Sequence, residues 1–196
     1  MIALSVALEA ELSEAMLREA GFWPAMDSGR LRLIYTGVGK VNAALAVACV
    51  LAEPDCALLI NYGTAGVLRP ELAGKLHEVA RVRQRDMDAR PMAPLGITPF
   101  EEGDLAGDIT LASTGPTLST GDQFVRDKPE LASDMVDMEG YALAKAAALA
   151  RKKAILLKYG SDFADEDATE NWRENVAKGA ALFIKWLKEH HSDSLG

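Results

Sequence analysis

Cysteine is almost missing from this chain: Cys49 and Cys56 are the only two. So few exclude a disulfide-dense scaffold. Both fall in or beside apolar runs, Cys49 within Ala43 to Ala52 and Cys56 at the start of the next. They read as small buried hydrophobes in a reducing compartment. Histidine is equally scarce, and two of the three, His190 and His191, lie in the polar tail. No metal-ligand cluster can be assembled from them, and no metal or other cofactor is expected. Positive charge is also short: 21 Lys and Arg against 29 Asp and Glu give a net charge of -8 and a pI near 4.9. The densest basic run, Arg151-Lys152-Lys153, reads as a solvated loop between a helix and a strand. Without a basic stripe the chain is a poor partner for nucleic acid or an anionic membrane surface. No apolar run approaches the roughly 20 residues that span a bilayer. Met1 to Leu8 is apolar but uncharged and is cut short by Glu9 and Glu11, so no signal peptide is expected and the cytoplasm is the expected compartment.

What the chain does have is apolar bulk, 49% of 196 residues, enough for one domain over 1–196 with a substantial core. Short apolar runs alternate with longer helical patterns. Ile2 to Ala7, Leu31 to Tyr35, Ala57 to Tyr62, Glu78 to Gln84, Ile109 to Ser113 and Ala154 to Lys158 read as strands. Leu8 to Ala20 reads as a helix with Leu12, Ala15 and Met16 inward. Lys40 to Ala52 reads as another, with Val41, Ala44, Leu45 and Ala48 inward. Asp137 to Ala150 is an alanine-rich helix. Thr169 to His190 is a long one, capped by Thr169, with Val176, Ala180, Phe183, Ile184 and Leu187 inward. Alternation of this kind predicts a three-layer α/β/α domain with a mixed central sheet.

Four segments sit where strands meet loops or helices, the edges at which α/β enzymes place reacting groups. Gly37-Val38-Gly39-Lys40 lacks the spacing of a phosphate loop, because Ile34 stands where its first glycine belongs and Val41 where its Ser or Thr belongs. It is either a tight turn into a helix or a turn whose amides approach a ligand. Gly63-Thr64-Ala65-Gly66 reads as a turn of small residues after a buried strand. Glu139, in Val136-Asp137-Met138-Glu139-Gly140-Tyr141, heads a helix, where the dipole keeps a carboxylate ionised and able to bind a vicinal diol. Asp162, after Gly160-Ser161, is a candidate proton donor or a simple cap. Glu9 and Glu11 are two residues apart, so one can enter a cleft while the other faces solvent.

In order, Val6-Ala7-Leu8-Glu9-Ala10-Glu11, Thr36 to Val41, Asn61 to Gly66, Ser119-Thr120-Gly121-Asp122-Gln123-Phe124, Asp137-Met138-Glu139 and Ser161-Asp162 resemble the nucleoside phosphorylase/nucleosidase superfamily. The likeness runs from Ile2 to about Leu187 and is greatest to the methylthioadenosine/S-adenosylhomocysteine nucleosidase branch. It implies a phosphorylase/hydrolase-like fold, a purine nucleoside as small-molecule partner, and a homodimer with the site near the subunit contact. It implies that Glu11 activates the attacking water and that Asp162 protonates N7 of the purine. Glu139 would bind the ribose hydroxyls with Met138 beneath the sugar. Phe124 would stack on the base and the backbone of Val125 would read its edge. Thr64, Ala65 and Gly66 would line sugar and base, and Ser161 would complete the substrate site.

Departures from the family pattern are the short length, a rearranged stretch from Arg85 to Gly103, and Lys158-Tyr159 where relatives carry an arginine before the Ser-Asp pair. Hydrolysis is favoured over phosphorolysis, because Glu9 and Glu11 repel a phosphate dianion; Arg69 and Arg126 are the residues that could reverse this. The alternatives are a purine nucleoside phosphorylase and a non-catalytic nucleoside-binding protein of the same fold.

Overall fold

The computed structural model describes residues 1–125, 127–163 and 172–195, with the side chains of all but 162, 163, 172–175, 193 and 194. Apolar, β-branched segments form one mixed nine-stranded sheet. Strand β1 (Ile2–Val6) lies parallel to β2 (Leu31–Tyr35) on one edge and to β3 (Leu58–Val67) on the other. Strand β3 is central. It pairs parallel, along its whole length, with β9 (Lys153–Phe163), which also takes the short antiparallel β4 (Leu76–Glu78). Beyond Tyr62, where β1 has ended, β3 pairs instead with β8 (Met135–Asp137), antiparallel at Gly66 and Val67. The sheet continues through β7 (Thr117–Thr120) and β5 (Arg81–Gln84) to β6 (Ile109–Thr110).

Helices cover both faces, each over its own core. On one face α3 (Lys40–Leu51) and α4 (Gly140–Leu149) bury Ala43, Val47, Leu143 and Ala147 against Leu59 and Leu156. On the other, α1 (Glu14–Leu17), α2 (Trp23–Asp27) and α5 (Trp172–Leu195) bury Leu17, Ala25, Phe183 and Leu187 against Leu4, Ile60 and Tyr62. Tyr62 and Phe183 stack at 4.6 Å between ring centroids. The expected three-layer α/β/α domain with a mixed central sheet is what the chain forms.

Several local expectations do not survive. Gly63 to Gly66 is not a turn but the second half of β3, because β9 supplies a ladder partner for every residue through Val67. Helix α1 starts only at Glu14, where Ser13 accepts the Met16 amide as N-cap; Leu8 to Leu12 precede it, and Ala15 is exposed. Asp137 ends a strand, and its side chain accepts the amide of Gly140, the first residue of α4. Helix α3 faces the core with Ala43, Val47, Val50 and Leu51, while Val41 and Leu45 are about two-thirds exposed. A helix apolar on every side offers no periodicity from which to choose its inner face. Cys49 is accordingly exposed, whereas Cys56 is buried. The inner stripe of α5 is as expected, with Val176, Ala180, Phe183 and Leu187 buried. The proposed Thr169 cap lies outside the described residues.

Candidate active site

The site opens where β3 changes neighbours. Between the end of β1 and the start of β8 one edge of β3 lacks a strand at Gly63 to Ala65. A carboxylate takes the strand's place: Glu11 Oε1 accepts both the amide and the hydroxyl of Thr64, each at 2.8 Å. Its Oε2 accepts the Leu8 amide at 3.3 Å. Glu11 is buried while Glu9 is exposed, as the two-residue spacing requires. Glycine at 63 permits this packing, since a Cβ there would stand 3.2 Å from Lys158 Nζ and 3.5 Å from Glu11 Oε1.

Around Glu11 lies a cleft of about 340 Å³, at the small end of the range for ligand pockets. Glu11, Thr64, Ala65, Gly66, Phe124, Val125, Met138, Glu139 and Ser161 all line it, so nine of the ten residues singled out in the sequence meet in one place. For the tenth, Asp162, the backbone lies opposite Gly66 on β9, one residue past a register shift, and the side chain is outside the described residues. Phe124 is 65% exposed, an aromatic ring at the rim with little of its own protein against it.

Two cations that the sequence reading left out of the site belong to it. Lys158 is buried in the middle of β9, its Nζ 3.0 Å from Asp137 Oδ2. Burial opposes its charge, but Asp137, Glu139 and Glu11 outweigh that and hold the ammonium above its ordinary pKa. Asp137 is fully engaged, accepting also from Thr120 Oγ1 at 2.6 Å and the Gly140 amide at 2.7 Å. A lysine closing an apolar strand was the available signal. The second cation, Arg85, lines the cleft from the stretch that departs from the family pattern; no sequence motif marks it.

Glu139 corrects an expectation. It does sit at the N-cap of α4, yet its carboxyl is not simply held ionised by the helix. Burial and the neighbouring Asp137 push its pKa up to about 7, against the lowering effects of Lys158 and the Gly39 amide, which donates to Oε1 at 2.8 Å. A carboxyl whose folded-state pKa exceeds its unfolded value binds protons more tightly when folded. It therefore costs stability as pH rises from about 4.5 through 7. Glu139→Gln is expected to melt higher than the parent at pH 8, by up to about 3 kcal/mol, with the gap closing at pH 5. Thermal melts at the two pH values check this; an equal gap at both would contradict it.

The glycine turn is explained by the same carboxylates. Gly37 and Gly39 have positive φ, 76° and 97°, and Gly39 lies against Asp122, whose Oδ1 a Cβ would approach to 3.2 Å. The amides that open α3 are aimed at protein acids: Gly39 at Glu139, and Lys40 at Asp122 Oδ1 at 2.8 Å.

Residues 25–77 match the family model described as Phosphorylase superfamily. The chain is 27% identical over 179 residues to an aminodeoxyfutalosine nucleosidase of Campylobacter jejuni, covering 79% of this chain and 78% of that protein. It is 28% identical over 189 residues to a 5'-methylthioadenosine/S-adenosylhomocysteine nucleosidase of Maridesulfovibrio salexigens, covering 80% of each. In fold it is similar to the crystal structure of the Helicobacter pylori 5'-methylthioadenosine/S-adenosylhomocysteine nucleosidase, with a TM-score of 0.83 at 21% identity over 98% of this chain and 97% of that one. The resemblance read from the six ordered motifs is thereby borne out.

Proposed function

We propose that this chain, which resembles the phosphorylase superfamily in both sequence and fold, hydrolyses the N-glycosidic bond of a purine nucleoside of the methylthioadenosine type and releases the free base. The observation that carries the reading is the convergence of Glu11 and Glu139 on one cleft, near enough to the buried Lys158 for both charges to support its ammonium. Glycosidic cleavage builds positive charge on the sugar and negative charge on the departing base. Glu11 takes a proton from water as the oxygen bonds to C1′, and the bond from C1′ to the base breaks. Asp162 gives a proton to N7, so that the base leaves neutral. Glu139 accepts from the 2′ and 3′ hydroxyls and supports the cationic sugar. Met138 packs beneath the sugar, Phe124 stacks on the base, the Val125 backbone reads the base edge, and Thr64 to Gly66 with Ser161 form the remaining wall.

Water rather than phosphate fits as the nucleophile. A phosphate dianion would meet Glu11 and Glu139, and the Gly39 and Lys40 amides already bind carboxylates instead of cradling an anion. Arg69 is spent on Glu71 and Asp134 at the surface. Arg126 lies outside the described residues. Arg85 reaches the cleft but directs its donors at backbone carbonyls. The deciding experiment is release of adenine from methylthioadenosine and aminodeoxyfutalosine with and without phosphate. Release that needs phosphate and yields the 1-phosphate of the 5-substituted ribose would overturn hydrolysis; tight adenosine binding without turnover would favour the binding-protein alternative. Asp162→Asn is expected to lower the release rate about 10²- to 10⁴-fold in the same assay, and an unchanged rate would remove its role as acid.

The reading extends to a homodimer and to the cytoplasm. Val41 and Leu45 of α3, Leu149 of α4 and Phe124 at the cleft rim are large apolar side chains left exposed, and a second copy seated there would cover them. Sedimentation giving only a 21.0 kDa species would remove the dimer. No described helix is long and apolar enough to cross a membrane, and both cysteines are unpaired, which suits a reducing compartment; recovery in a membrane or extracellular fraction would count against it.

A further inference from the structure

The segment 121–125 carries Phe124 and Val125 into the cleft, yet it belongs to no helix or strand. Its shape has to come from side chains that reach it. Most of that work falls to one group. Arg85 Nη1 donates to the carbonyls of Ser119 at 2.6 Å and Asp137 at 2.8 Å. Its Nη2 donates to Gly121 at 3.0 Å and Gln123 at 2.7 Å. One planar guanidinium thus joins the ends of β7 and β8 to the start of the base-contacting segment. The backbone repeats the connection: Arg85 N–H donates to the Thr120 carbonyl, and Gly121 N–H to that of Asp137. The next residue finishes it, because Asp86 Oδ2 accepts the Asp122 amide at 2.9 Å while Oδ1 holds Lys40 Nζ at 2.6 Å.

Residue 121 is glycine for a reason visible here. A Cβ would stand 3.1 Å from Arg85 Cγ and Cζ and 3.0 Å from Asp86 Cγ, so a side chain here would press on both residues and require the Arg85 side chain to give by a few tenths of an ångström. Burial draws the guanidinium below its ordinary pKa, and the charges of Asp137, Asp86, Asp122 and Glu139 only partly oppose this. Lysine could not substitute. It presents a single nitrogen, whereas four carbonyls from three segments need a rigid fork.

We infer that Arg85 is a positioning residue: it fixes the wall that receives the purine base and so governs how tightly nucleoside and free base bind, without entering the bond-breaking step. This rests on reading the cleft as a nucleoside site. A wall that meets the base equally before and during bond cleavage contributes uniform binding, so its loss raises KM and leaves kcat in place.

The test uses the full chain with Arg85→Lys, Arg85→Met and Gly121→Ala, assayed with methylthioadenosine, by calorimetric titration with adenine, and by amide exchange across 119–125. Arg85→Lys is expected to raise KM and the adenine Kd together by about 10- to 100-fold, with kcat within about threefold of the parent. Exchange should quicken in 119–125, and Gly121→Ala should move every readout the same way. A KM and adenine Kd unchanged in Arg85→Lys would overturn the inference, as would a fall in kcat at constant KM. Should Arg85→Met fail to fold, Arg85→Lys and Gly121→Ala still decide. If the parent releases no base from any nucleoside, the functional reading fails, and amide exchange judges the clamp alone: unchanged protection of 119–125 in Arg85→Lys overturns it.

Discussion

Glu11→Gln is expected to lower kcat for base release by about 10²- to 10⁴-fold, the usual worth of a positioned general base, while KM moves by less than about threefold. The amide oxygen of glutamine can still accept from the Thr64 amide and hydroxyl, and only the longer 3.3 Å contact of Oε2 with the Leu8 amide is given up, so the local geometry at β3 is retained. What disappears is the ability to take a proton from water. Melting temperature and adenine affinity should stay close to those of the parent, which separates a chemical loss from a structural one. A kcat within tenfold of the parent would sink the role assigned to Glu11 and would shift water activation to another group in the cleft.

Lys158→Met should act on stability as strongly as Glu11→Gln acts on rate. Methionine matches the length of the lysine stem but leaves Asp137, Glu139 and Glu11 without their shared cation. Removing one partner of a buried ion pair costs about 3–5 kcal/mol, because the remaining charge stays desolvated and unpaired. For a chain of this size that is a fall in Tm of roughly 6–20 °C. The loss should depend on pH in a defined sense. Without the ammonium the Glu139 carboxyl loses a charge that holds its pKa down, so the folded form takes up a proton more readily than the unfolded form. Stability then recovers as pH falls from 8 toward 5. Melts of Lys158→Met and the parent at both pH values test this. Equal melting temperatures at pH 8 would show that the three carboxylates do not depend on Lys158.

Both variants concern residues that differ in how readable they were. Glu11 could be found from the sequence, because a spacing of two from Glu9 already separates an inward from an outward carboxylate. Glu139 was equally accessible, at a strand-to-helix junction, whereas Met138 was marked only by the family resemblance. The layered fold followed from the alternation of apolar runs with helical patterns, and the α5 stripe from its period. Other features had no local cause to read. The length of β3 is set by β9, about a hundred residues away, which turns a glycine-rich turn into strand. The buried face of α3 is chosen by the sheet beneath it, since the helix is apolar all round. Lys158 and Arg85 acquire their roles only when Asp137, Glu139 and the carbonyls of 119–123 come together in space.

The amides of Gly39, the N-cap of α3, and of Lys40, its first residue, find their acceptors 100 and 82 residues away in the chain, on Glu139 and Asp122. Opening this helix start therefore also releases the Glu139 carboxylate that lines the cleft. Solvent exchange at the Gly39 and Lys40 amides counts how often that event occurs. A nucleoside that binds only the closed arrangement slows exchange at both by the factor 1 + [L]/Kd. These two protons are thus a built-in occupancy gauge, able to report binding by molecules that the enzyme holds but does not cleave.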